Sequence, residues 1–137
     1  MWDMMLEKAQ AVMKLAYCPY SKFQVGACIL TQSGDYFVGC NVENASYSMT
    51  IDAEANAIAQ MVAAGQQDIK AILIICHGTT PCAPCGACRQ KIREFAQATT
   101  PVMMCSIEQD GQVHQLESTL EALMPHSFGP EFLHEDH

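Results

Sequence analysis

The sequence predicts an α/β protein, a mixed five-stranded sheet covered by helices in the order α-β-β-α-β-α-β-β-α. Three observations lead there. Apolar residues recur at helical spacing in three long segments, and strand-like runs lie between them. One of those runs, Ile69 to Gly78, is almost continuously apolar, the mark of a central strand buried on both faces. Residues 1–137 carry no repeat, low-complexity stretch or interior linker, so they form a single domain.

The first helix spans 3–16, where Met5, Leu6, Ala9, Val12, Met13 and Ala16 fall near helical spacing; "CPYSK" ends it. "FQVGACILT" and "YFVGCNVE", joined through "QSGD", are the arms of a β-hairpin with a Gly-Asp turn. "DAEANAIAQMVAAG" is an alanine-rich helix that starts near Asp52 and stops at Gly65, a natural C′ residue. After the central strand, a cysteine cluster opens a third helix, "CRQKIREFAQA". "PVMMCSIE", "DG" and "QVHQLE" predict a strand, a turn and a short edge strand. "STLEALM" predicts a last short helix, with Ser118 as N-cap and Glu121 completing a capping box. Residues 134–137, "HEDH", are expected to be a frayed tail.

Composition narrows the function classes. Seven Lys and Arg against fifteen Asp and Glu give a formal charge of −8, a field that repels nucleic acid, and no local basic patch offsets it. A small neutral ligand fits better. No apolar run approaches bilayer-spanning length, so no membrane role is expected. Asp3, Glu7, Lys8 and Lys14 interrupt the N-terminal segment, which therefore lacks the layout of a signal peptide; a cytoplasmic protein is expected. Of the eight cysteines, Cys28, Cys40, Cys76 and Cys105 sit in strand-like runs as small hydrophobes, and structural disulfides are not expected.

The other cysteines include Cys82, Cys85 and Cys88, in "TTPCAPCGACRQKI". Pro84 pushes Ala83 out of the helical region, so a helix can begin at Pro84 but not before. Cys85 and Cys88 then belong to its first turn, Cys82 lies in the preceding loop, and Gly86 lets other backbone approach closely. Thiols at a helix N-terminus are acidified and suit Zn²⁺, which wants about four tetrahedral ligands. A redox dithiol is the alternative reading of C-x-x-C, and no second C-x-x-C completes a structural zinc site. Upstream, Asp52-Ala53-Glu54 opens the preceding helix. An x-A-E at one helix start and P-C-x-x-C at another is the layout of zinc deaminases acting on bases and nucleosides, usually written H-x-E…P-C-x-x-C.

At these residues the sequence resembles the small homotetrameric cytidine deaminases. "YCPYSKFQVGACILT", "NVENASYSMTI-AE-NAI", "PCGACRQ" and "LMPHSFGPEFL" each match a family block, in order and over nearly the whole chain. The resemblance implies a three-layer α/β/α sandwich, one Zn²⁺ per chain, and hydrolytic deamination of cytidine and deoxycytidine. It implies Cys85 and Cys88 as zinc ligands and Glu54 as the proton-shuttling acid. It also implies Asn41 and Glu43 at the ribose hydroxyls, Phe23 against the base, and Phe128 reaching into a neighbouring subunit's site. The bland readings are core aromatics for Phe23 and Phe128 and a turn residue for Asn41.

Two positions depart from the family. It has cysteine where this chain has Asp52, and usually arginine where this chain has Ala55. Asp52 is read as the third zinc ligand, since carboxylate oxygen is an accepted ligand at roughly 2.0–2.2 Å, with a simple helix N-cap as the alternative. Asp52, Cys85 and Cys88 carry the same summed charge as three thiolates would. The arginine helps neutralise thiolates in the family, so losing Cys and Arg together reads as one coupled change. Cys82 is the rival third ligand. Two other functions stay open: deamination of a cytosine-containing antibiotic nucleoside such as blasticidin S, and a retired, nucleoside-binding relative.

Overall fold

The computed structural model describes residues 1–134. Its helices are α1 (Trp2–Met13), α2 (Ala53–Ala63), α3 (Gly86–Phe95), α4 (Leu120–Leu123) and α5 (Glu131–His134). Its strands are β1 (Val25–Thr31), β2 (Tyr36–Cys40), β3 (Ile69–His77), β4 (Pro101–Ile107) and β5 (Val113–Thr119), with a 3₁₀ turn at Tyr47–Met49. The five strands form one sheet in the order β2-β1-β3-β4-β5. Only β3 and β4 run parallel, and α3 lies in the crossover between them, as a parallel pair requires. The mixed five-stranded sheet of the sequence prediction is present, with β3 at its centre.

Period-2 alternation sends the strand side chains into two cores. Ala27, Ile29, Ile72, Ile74 and Val102 face one side, where Met61 of α2 and Ile92 of α3 meet them. Cys28, Leu30, Leu73 and Ile75 face the other, against Met5, Ala9 and Met13 of α1, an i, i+4, i+8 stripe. Helices on both faces make three layers. Two glycines permit the close packing. A Cβ at Gly26 would lie 2.9 Å from the Met13 Cβ, and one at Gly39 would lie 2.5 Å from the Ala53 carbonyl oxygen in α2. Deep burial pushes the Cys28 thiol up to about 12 and the Cys105 thiol up to about 11, so both are inert packing groups. All eight cysteines are free thiols. Among the described residues, no helix is long and apolar enough to cross a membrane.

Several local expectations are corrected. The first helix ends at Met13 rather than residue 16; Leu15 and Ala16 form turns back to Val12 and Met13. The third helix starts at Gly86, with Cys85 as its N-cap in extended backbone (φ −67, ψ 169), so Cys85 precedes the first turn. Gly86 admits no close backbone approach among the described residues, because a Cβ there would meet nothing within 4 Å. The α4 cap is Thr119, whose hydroxyl accepts from the Ala122 N–H, one residue later than expected. Ser118 is still paired with Val102 in the β4–β5 ladder, and the Glu121 N–H is bound to the Ala98 carbonyl, so no capping box forms. The short α5 was not foreseen. His134 closes it, and the rest of the expected tail, 135–137, lies outside the described residues.

Candidate metal centre and substrate cavity

Two helix tips meet on the α2–α3 side of the sheet. Asp52 is the N-cap of α2 by backbone conformation (φ −75, ψ 159), yet its side chain makes no capping hydrogen bond. The carboxylate turns instead toward α3, where Oδ2 accepts from the Cys88 Sγ at 3.2 Å and the Cys85 Sγ at 3.7 Å. The simple capping role is thus not the one Asp52 plays. Both helix N-termini direct unpaired N–H groups at this spot, which favours anionic ligands.

Asp52, Cys85 and Cys88 each place one ligand atom within 4.8 Å of the others. With Zn–O near 2.1 Å and Zn–S near 2.3 Å, tetrahedral angles put oxygen and sulfur about 3.6 Å apart. The two observed separations bracket that edge, so the donor set fits zinc in chemistry and in size. Cys82 is not part of the group; its thiol shares a hydrogen bond with that of Cys76, and its N–H is bound to the Cys105 carbonyl. Cys85 and Cys88 aim at a carboxylate rather than at each other, which does not favour the dithiol reading. Burial, the Glu54 charge and the Asp52 hydrogen bond push the Cys88 thiol far up, and a cation is what would offset all three.

The centre opens into a cavity of about 270 Å³ whose lining includes Phe23, Asn41, Glu43, Asp52, Glu54 and Cys85. Larger clefts exist, one of about 490 Å³ beside α3 and α4, but they do not contain the thiol–carboxylate group. Glu54, in the first turn of α2, is only 5% exposed. Burial raises its carboxyl above the ordinary range, against the opposing pull of its own N–H; the Asp52 charge raises it further, and a hydrogen bond with Cys88 lowers it. Such a raised carboxyl holds a proton more readily than an ordinary glutamate, as a group that must take and give one needs to.

Asn41 and Glu43 follow β2. Asn41 is buried, accepting from the Val25 N–H at 2.9 Å and donating to the Phe23 carbonyl at 2.8 Å. That leaves one amide hydrogen and one lone pair for a ligand. Glu43 accepts through Oε1 from the Tyr20 and Ser21 N–H groups at 3.0 and 3.1 Å, and through Oε2 from the Ser21 hydroxyl. The Ser21 hydroxyl leads the causes that hold the Glu43 carboxyl below its usual value. Asn41 and Glu43 therefore brace the loop that carries Phe23. Of the candidates, Cys88 adjoins the cavity through the thiol–carboxylate group without lining it, and Phe128 belongs to neither; it is 56% exposed and stacks on Phe132 at 5.2 Å. Ser21 and Thr50, which also line the cavity, were not singled out from the sequence. Only the Tyr20-Ser21 pair inside the first family block could have marked Ser21.

Residues 2–104 match the family described as the cytidine and deoxycytidylate deaminase zinc-binding region. A cytidine deaminase of Sporosarcina psychrophila is 37% identical over 131 residues, covering 96% of this chain and 93% of the relative. The chain belongs to the cytidine deaminase family. A cytidine deaminase of Mycoplasma pneumoniae is 43% identical over 82% of this chain and 84% of the relative. Among solved structures, the Burkholderia pseudomallei cytidine deaminase superposes with a TM-score of 0.83 at 38% identity, covering 93% of this chain and 99% of that one. The Mycobacterium tuberculosis cytidine deaminase gives 0.77 at 30% identity, covering 93% and 97%. The family is zinc-binding, and its three-layer α/β architecture is the one described above.

Proposed function

We propose that this protein catalyses the zinc-dependent hydrolytic deamination of cytidine and deoxycytidine to uridine and deoxyuridine, releasing ammonia, in cytoplasmic pyrimidine salvage. One observation carries the reading: a buried Glu54 carboxyl stands beside the Asp52, Cys85 and Cys88 group, in a cavity that also contains Asn41 and Glu43. Asp52, Cys85 and Cys88 are the zinc ligands. Zinc held there supplies Lewis-acid activation of water at neutral pH. Glu54 accepts one proton as water attacks C4 and passes it to N3 of the pyrimidine; it then takes the proton of the new C4 hydroxyl and gives it to the amino group, so that the C4 carbonyl forms as the C–N bond breaks and ammonia leaves. Asn41, with its unused N–H and lone pair, and Glu43 hold the sugar hydroxyls, while Phe23 lines the base.

Phe128 serves the cavity of a neighbouring subunit in a homotetramer. In support, Phe128 is exposed and away from its own cavity, and Tyr17, Tyr20, Tyr47, Met49 and Ile51 are all more than 45% exposed. Apolar residues left uncovered at this density mark an association surface.

The test mixes purified protein with cytidine, deoxycytidine, cytosine and blasticidin S, following ammonia release and measuring zinc in the same samples. The two nucleosides should turn over, free cytosine poorly, and Glu54→Ala should be inactive with zinc retained. Asp52→Ala should lose zinc, while Asp52→Cys and Cys82→Ser keep it. Zinc near one per chain without turnover of either nucleoside would overturn the reading.

A further inference from the structure

The outer face of α3 holds the C-terminal segment through a set of contacts centred on one side chain. Arg93 donates from Nε to the Ser127 hydroxyl at 2.8 Å and pairs through Nη2 with Glu131. Gly129 lies against the same guanidinium, since a Cβ there would fall 2.5 Å from Nη2. One turn earlier, Gln90 donates to the Phe128 carbonyl at 3.0 Å. Gln90 and Arg93, three residues apart, share a helix face. The side chain of Arg93 is 19% exposed, and a planar fork engaged on two edges and one face is fixed far more tightly than an ordinary surface arginine. The contacts flank Phe128 on both sides in sequence and leave its ring outward, stacked on Phe132.

We propose that Arg93 is a positioning residue for nucleoside binding, fixing the backbone of 127–131 so that the Phe128 ring is presented to a neighbouring cavity. The inference rests on the reading of Phe128 given above. Its added content is that α3, whose start carries Cys85 and Cys88 of this chain's own metal group, holds in its later turns the clamp that sets the ring offered to a neighbour. Lysine cannot replace the arginine. It offers a point charge for Glu131 but no flat fork to lie on Gly129 while reaching Ser127.

A double-mutant cycle on the zinc-loaded enzyme tests this, with Phe128→Ala, Arg93→Ala and the double variant assayed for cytidine turnover. Phe128→Ala should raise KM about tenfold, the upper size of one ring contact. Arg93→Ala should raise KM comparably with kcat and zinc content unchanged, and should add nothing in the Phe128→Ala background. Arg93→Lys should fall between wild type and Arg93→Ala. Gly129→Ala, which displaces the guanidinium while removing no side chain, should reproduce the KM effect and serves if Arg93→Ala does not fold. If Phe128→Ala raises KM but both Arg93→Ala and Gly129→Ala leave it unchanged, the proposal fails alone. Equal Arg93→Ala effects in both backgrounds overturn it as well. An unchanged KM in Phe128→Ala overturns the reading of Phe128 and the clamp with it.

Discussion

Replacing Gly39 with alanine should damage stability and catalysis together. The new Cβ would lie 2.5 Å from the Ala53 carbonyl oxygen and 2.9 Å from the Asn56 carbonyl carbon. Both are backbone atoms of α2, so no side-chain rotation relieves the contact. Restoring the 3.4 Å of ordinary contact to the oxygen requires α2 to withdraw from β2 by about 0.9 Å. Overpacking of this kind costs about 2–3 kcal/mol, which for a domain of this size lowers Tm by about 8–12 °C. The same helix carries Glu54 in its first turn and Asp52 at its cap, and a displacement near 1 Å at a reacting group costs about a hundredfold in rate. Gly86→Ala is the matched control, because that Cβ meets nothing within 4 Å; Tm there should hold or rise slightly. Calorimetry and cytidine turnover on zinc-loaded protein read both effects. A Gly39→Ala protein with wild-type Tm and full activity, or one that Gly86→Ala matches in loss, refutes the reasoning.

Thr119→Ala should cost about 1 kcal/mol with activity unchanged, and Ser118→Ala almost nothing, because only the threonine hydroxyl accepts a helix N–H; urea unfolding distinguishes them. Arg89 ties the Pro84 carbonyl, one residue before Cys85, at 2.7 Å and the Leu123 carbonyl at 2.9 Å, so Arg89→Ala should weaken zinc retention about tenfold in a chelator competition. Glu43 has a folded value below the ordinary 4.5, so its bracing of Tyr20 and Ser21 is fully present above that value. The bracing is lost as pH falls through the lowered one. Its carboxyl carbon should titrate below 4.5 by NMR and move back up in Ser21→Ala.

The parts of the fold legible in the sequence were those written in local periodicity. The near-continuous apolar run at Ile69–Gly78 could only be a buried strand, and the alanine-rich helix ended at Gly65, which takes φ +84. The Cys85–Cys88 spacing and the position of Glu54 at a helix start pointed to the two helix ends that the fold brings together. What escaped was decided by partners distant in sequence. Glu43 is committed to Ser21 across 22 residues, whereas the turn of Asp52 toward thiols 33 and 36 residues away was expected from their ligand chemistry. Ser118 lost the cap because β4 kept it in the ladder, a contest no local motif records. Phe128 was placed by resemblance alone, and α5, a four-residue helix held to Arg93 through its own Glu131, has too few residues to leave a periodic signal.

Helix α3 is ten residues long; its buried Cys88 and Ile92, four residues apart, share one face, and Gln90 and Arg93 share the opposite one. Each residue turns the chain by about 100°, so inserting or deleting a single position between them would rotate one face out of phase with the other. Exposed positions between the two faces, such as Lys91 and Glu94, can change, whereas the spacing from Cys88 to Arg93 cannot.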